Sequence, residues 1–303
     1  MIVIVPLTIE PDNIVETNAL SDGLPAWEQS NAPYEKGVQV THKNHVFESL
    51  IDNNEAEPVP EKELYGWYDL GLVNPYLLID QFIETQTVGG QVLVMDFEMH
   101  APFDYVGVLN VDCTNLTLQI LLPDETEPSG YKELWSVEKL MLDTEVSDYW
   151  EYFWTEPFAL RDSVFSNVPA SKAAILRVTL SNPTEQATKI GKIILGSQEE
   201  IGCARWGAEA GMNSFSIVQQ DEFGRTSIIQ RSKAKTADFD LTFKTGDSDR
   251  IHRILSSLDD GPALWVGDER FESLTIYGVV SDFGVVVKGP ERSEATLEIT
   301  GMI

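Results

Sequence analysis

Leu116-Thr117-Leu118-Gln119-Ile120-Leu121-Leu122 sets apolar side chains at every second position. That period of two places Leu116, Leu118, Ile120 and Leu122 on one face of a strand. Leu176, Val178 and Leu180 alternate with Arg177 and Thr179 in the same way. Gln91–Glu98, Tyr105–Cys113 and Ile190–Leu195 read as further strands, the last closing at Gly196. Short alternating strands joined by polar turns predict a central antiparallel β-sandwich or jelly roll over residues 81–198.

Residues 199–303 read as a small α+β domain. Phe215–Gln219 and Thr226–Arg231 flank Asp221-Glu222-Phe223-Gly224, a hairpin with a glycine turn. Phe239, Leu241 and Phe243 alternate in a following strand. Asp247 stands as N-cap of one helix over Ser248–Leu258, with Ile251, Ile254, Leu255 and Leu258 on one face, and Gly261-Pro262 ends it. Strands at Ala263–Val266, Leu274–Asp282 and Ala295–Thr300 complete the domain.

Residues 25–80 read as a small β module. Val38–Thr41 and Val46–Ser49 form a hairpin about Lys43-Asn44, an acidic proline-bearing loop follows over Asp52–Glu63, and Trp67-Tyr68-Asp69-Leu70-Gly71 leads to a connector at Pro75. So small a domain has little room for a core, and large aromatics must supply it. Residues 1–24 form an N-terminal arm. Its apolar strand, Ile2, Val3, Ile4 and Val5, is a candidate assembly strand, to be donated to a neighbouring subunit or domain.

The chain has 303 residues, long for one domain, with 21 basic against 49 acidic side chains and a net charge of −28. Such a surface repels phosphate backbones and anionic membranes, which argues against nucleic acid and membrane as partners. No run of about 18 apolar residues occurs, so no transmembrane helix is expected. The N-terminus lacks the basic region of a signal peptide. Cys113 and Cys203 fit neither a disulfide framework nor a zinc spacing, and both read as small buried residues of a chain made in a reducing cytoplasm.

No nucleophile elbow, phosphate loop, dinucleotide fingerprint or His-Glu-x-x-His is present, so no catalytic residue, metal or cofactor is assigned. His42 and His45 bracket the hairpin turn, but two imidazoles are short of a zinc site. Asp96 and Glu98 share a strand face and would suit a glycosidase pair, a coincidence that 49 acidic residues make cheap. The aromatic run at Trp150, Tyr152 and Trp154 shares one strand face; rows of this kind stack on sugars or fill contacts, and packing is the favoured reading. Trp27, Tyr34, Trp67 and Tyr68 pose the same choice between carbohydrate and partner contact.

Trp27, Tyr34, Gly37, Phe47 and Trp67 resemble the landmarks of family 5/12 chitin-binding modules, over less than a fifth of the chain. The adjacent aromatic pair that those modules expose after the hairpin is absent from Ser49–Asn54, so the resemblance extends to the fold more than to sugar binding. The phrase from Trp67 to Asp80 resembles one that recurs in structural proteins of tailed bacteriophages, with one departure, that Asn74 is followed by Pro75 where a longer basic residue is expected. Ile194-Leu195-Gly196, Trp206-Gly207, Asp221–Gly224, Leu264–Gly267, Tyr277-Gly278 and Leu297–Gly301 resemble further phrases of the same proteins. Ile175–Gly196 is similar to the end of a galactose-binding-like jelly roll. These resemblances imply a mainly β, non-enzymatic virion protein of the tail, collar or baseplate, a homo-oligomer in a ring among other virion subunits. The alternatives they leave are a host-glycan-binding adsorption protein and a glycan hydrolase with an appended binding module.

Overall fold

The computed structural model describes residues 1–60, 66–124, 127, 130–143, 154, 158–169, 174–183, 185–220, 224–258, 261–268 and 270–303. The architecture is mainly β, with antiparallel sheets and little α-helix among the described residues. A five-stranded sheet runs in the order β10 (Tyr131–Leu140), β9 (Asn115–Pro123), β14 (Ile175–Ser181), β7 (Val92–Glu98) and β2 (Ile14–Thr17). A longer sheet follows the path β13 (Ser163–Ser166), β8 (Tyr105–Asp112), β15 (Lys189–Glu200), β1 (Ile2–Pro6), β21 (Ala263–Val266), β22 (Thr275–Val286), β23 (Arg292–Gly301), β20 (Lys233–Lys244) and β16 (Cys203–Ala204). To it β6 (Thr87–Val88) adds at β15, and β17 (Glu209–Ser214) adds at β20. Three small sheets remain: β3 (Gln39–His42), β4 (His45–Ser49) and β5 (Trp67–Leu72); β11 (Leu142–Asp143) with β12 (Phe158–Ala159); and β18 (Ile217–Gln220) with β19 (Thr226–Ile229).

The alternating residues form the sandwich core. Leu116, Leu118 and Ile120 of β9 and Leu176, Val178 and Leu180 of β14 are buried against Val106 and Val108 of β8 and Ile190, Ile193 and Leu195 of β15. A second core holds the other half of the long sheet. There Phe239, Leu241 and Phe243 of β20, Trp265 of β21 and Leu297 of β23 meet Ile251 and Leu255 of α1 (Ser248–Ser257). Asp247 does occupy the position before α1, but its side chain makes no capping hydrogen bond. A 3-10 turn over Thr245–Asp247 leads into the helix instead, and Ser248 Oγ donates back to the Thr245 carbonyl at 2.7 Å.

Strand β1 joins the two halves. Its donation is within the chain: one edge pairs with β15, Ile2 opposite Glu200 through Pro6 opposite Gly196, and the other pairs with β21, Ile2 opposite Val266 through Ile4 opposite Leu264. Both edges are therefore used, and the strand has no free edge to offer a neighbouring subunit. The two-residue period sends Val3 into the helix-covered core and Ile4 into a separate cluster with Tyr105, Leu109, Ile194, Leu264 and Tyr277. This pairing also explains why the strand expected at Ile190–Leu195 runs on to Glu200, since residues 196–200 find their partner in β1. Close approach of the two strands needs glycine at 196, where a Cβ would lie 2.2 Å from the Val5 carbonyl oxygen.

The first module is held by Tyr34, Val40, Phe47 and Trp67, with Trp27 packed against them. Lys43 and Asn44 both take positive φ, 47° and 66°, as a two-residue hairpin turn requires. Asn74 ties the exit of the module to its surroundings. Its Nδ2 donates to the carbonyls of Leu20 at 2.7 Å and Val88 at 2.8 Å, and its Oδ1 accepts from the Val88 N–H at 2.8 Å. Asn74 of the Trp67–Asp80 phrase is thus a fastening point.

Only one cysteine is buried. Cys113 packs in the sandwich core, where burial pushes its thiol up to about 12, whereas Cys203 on β16 is exposed. β16 is the last strand on the long sheet's path, which leaves Cys203 open to solvent. At mildly alkaline pH a thiol-reactive dye is expected to modify one cysteine per native chain, identified as Cys203 by peptide mapping, and both after denaturation. Rapid labelling of Cys113 in the native protein would contradict the core described here.

Candidate assembly surface

The aromatic landmarks of the first module face inward. Trp67 is 1% exposed and its Nε1 donates to the Ala56 carbonyl at 2.7 Å. Tyr34 meets it edge-on at 5.6 Å between centroids, and its hydroxyl both donates to the Glu28 carbonyl and accepts from the Glu28 N–H, each at 3.0 Å. Trp27 is half-buried, edge-on to His42 at 5.2 Å. Of the four candidate aromatics here, only Tyr68 is exposed. In the second group Trp154 is helical and exposed, neither in the strand nor in the packed position expected of it, and Trp150 and Tyr152 lie outside the described residues. Ile2, Val3, Ile4 and Val5 are taken up in β1.

The other chemical candidates are held in local pairs. His42 and His45 do face each other across the hairpin, but His42 lies 3.0 Å from Glu57 and His45 3.0 Å from Asp69. Hydrogen bonds from Lys43 and then His42 hold the Glu57 carboxyl below its ordinary range. Asp96 is buried and takes a bidentate pair from Arg177, at 2.7 and 2.6 Å, which raises the guanidinium further. A carboxylate so engaged is a poor partner for Glu98 in hydrolysis. Among the described residues no group of three or more His, Cys, Asp or Glu side chains could hold a metal ion.

Among the described residues, one surface with no local explanation is a β-arm. β17 pairs with the first half of β20, from Glu209 opposite Asp238 to Ser214 opposite Lys233. Beyond a break in the ladder the arm continues as the β18–β19 ribbon. Ser216 bridges that break, its Oγ accepting from the Arg231 N–H at 3.1 Å. The base is anchored to the sandwich half: Ser232 Oγ donates to Glu84 at 2.6 Å and Lys235 Nζ pairs with Asp162 at 2.5 Å. Val218 lies opposite Ile228 on one face of the ribbon, and Ile217 lies opposite Ile229 on the other. Val218 and Ile228 are 65% and 64% exposed, and Met212, Phe215 and Ile229 are exposed as well.

Beside the arm the long sheet carries a row of carboxylates. Glu209 of β17 faces Asp238 of β20, Asp238 faces Glu298 of β23, and Glu298 faces Asp282 of β22. With Asp240 they line a cleft of about 420 Å³. Trp206, next to Gly207 of that cleft, is 93% exposed. Sequence reading found the hairpin but missed its character. The adjacent pairs Ile217-Val218 and Ile228-Ile229 were the available signal, because neighbours in a strand point to opposite faces. The carboxylate row has no such signal, since it is built from the register of four strands separate in sequence.

No protein-family model matches the chain, and no curated protein matches it. Among solved structures, the CBM32-1 module of a family 31 glycoside hydrolase from Clostridium perfringens is similar over 40% of this chain and 83% of its own, at 9% identity and a TM-score of 0.26. A likeness of that size says nothing about what this chain binds.

Proposed function

We propose that the protein is a non-enzymatic structural subunit of a tailed-bacteriophage virion, in the tail, collar or baseplate region, and that it associates with copies of itself. The assembly part is carried by the β18–β19 ribbon, which leaves Val218 and Ile228 exposed on one face and Ile229 exposed beside half-buried Ile217 on the other. A two-stranded ribbon is marginal in water by itself. A partner laid against it removes apolar area from water, at roughly 25 cal/mol per Å². The virion part is supported by the resemblance of the Trp67–Asp80 phrase and of the C-terminal phrases to tailed-phage proteins. Host-glycan adsorption is the alternative. It would place sugar on Trp27, Trp67 or the Trp150–Trp154 row, and the use of Trp27 and Trp67 in the module's core favours packing at those two.

An antibody to the chain should decorate one defined level of the tail of the virions whose genome encodes it, in electron micrographs. If the chain is recovered only as free protein and no virion is decorated, the virion reading is wrong.

A further inference from the structure

We propose that the β17–β20 arm docks on a second copy of this chain, head to tail, with its basic stem against the carboxylate row of that copy. The inference rests on the assembly reading above and names its partner and its contact. The arm itself calls for cover, since Met212, Phe215, Val218, Ile228 and Ile229 are all exposed along it. Charge then selects the partner. From Phe215 to Lys233 the arm carries three basic residues, Arg225, Arg231 and Lys233, against Asp221 and Glu222, in a chain of 21 basic against 49 acidic. It is a basic element on an acidic protein, and Arg231 and Lys233 are exposed.

The complement lies on the same molecule. Like charges directly opposite across strands destabilise a sheet, and here four acidic residues stand opposite one another in one row. None of the four, nor Asp240, has an ion-pair partner among the described residues. Arg or Lys side chains arriving from outside would relieve that repulsion, and the exposed indole of Trp206 offers a face for a cation. The arm cannot satisfy its own chain's row from the base of β20. Lys233 and Lys235 are of odd number on this strand and Asp238 and Asp240 of even, so the two sets point to opposite faces. A subunit that carries a basic stem at one place and an acidic row at another makes a heterologous contact, which generates a ring or a filament when repeated.

The test uses the full-length chain in sedimentation velocity at low salt. Reversing the arm (R231E with K233E) or the row (D238K with E298K) should each weaken self-association by about 10-fold or more, and combining all four changes in one chain should restore it. Wild-type association should also fall in about 1 M salt, where the screening length is about 3 Å. Unchanged far-ultraviolet circular dichroism confirms that each variant is folded. If the row variant associates like wild type while the arm variant does not, self-assembly stands and the docking site on the row is wrong. If wild type stays monomeric at every concentration, assembly and docking fall together. A shift in Trp206 emission with chitotetraose, with association insensitive to all four changes, would give the cleft to a sugar and overturn the proposal.

Discussion

Ile4→Ala is expected to lower the unfolding free energy by about 2–5 kcal/mol, the usual cost of emptying a fully buried aliphatic site. Ile4 is completely buried, between Tyr105 and Ile194 of the sandwich half and Leu264 and Tyr277 of the other. Its strand supplies the backbone partners of both β15 and β21. The damage should therefore reach both halves together. In a urea titration, hydrogen exchange at β8 and at β23 should report the same shift of midpoint. Loss of protection at β23 with β8 untouched would mean that the halves fold independently and that β1 belongs to one of them alone.

Val218→Ser combined with Ile228→Ser is expected to weaken self-association by about 100-fold and leave thermal stability of the monomer unchanged. The two side chains lie opposite each other on one face of the ribbon and are mostly exposed in the single chain. Burying an aliphatic side chain is worth about 1.5–3 kcal/mol, so losing two at an interface accounts for a change of that size even after imperfect packing is allowed for. Polar replacement costs the monomer little, because the positions are already wet. Dilution experiments by mass photometry give the dissociation constants. Equal constants for wild type and variant would show that this face of the ribbon is not an interface.

The sandwich was legible because its strands announce themselves locally. Leu116–Leu122 and Leu176–Leu180 carry the period of two, and each is a strand with that face buried. The helix was legible for the same reason, through Ile251, Ile254, Leu255 and Leu258, although the role given to Asp247 was not. What escaped was long-range. Nothing within Ile2–Val5 says that its partners are residues 196–200 and 264–266, so a strand that closes its own chain reads the same as one offered to a neighbour. β2, at the edge of the five-stranded sheet, escaped because Ile14-Val15-Glu16-Thr17 is short and only half-buried. The exposure of Cys203 follows from its place at the end of the long sheet's path, again a matter of topology.

In the candidate surface the aromatic residues were found and the choice between stacking and packing followed from burial. For Trp27, Tyr34 and Trp67 the small module needs the rings for its own core, as its size suggested. The arm was visible as a hairpin, yet only three-dimensional structure reveals that Val218, Ile228 and Ile229 of its outer ribbon stand exposed. Residues 209, 238, 282 and 298 become one row only through strand register.

The most direct measurement mixes isotopically light and heavy copies of the full-length protein, treats them with a zero-length carbodiimide, and sorts cross-linked peptides by mass. The expected result is a set of light-to-heavy links joining Lys233 to Asp238, Glu298 or Asp282, lost in the Val218→Ser/Ile228→Ser variant. Links from Lys233 that are confined to peptides of a single copy, at concentrations where wild-type protein sediments as an oligomer, would contradict docking of the arm on a second chain.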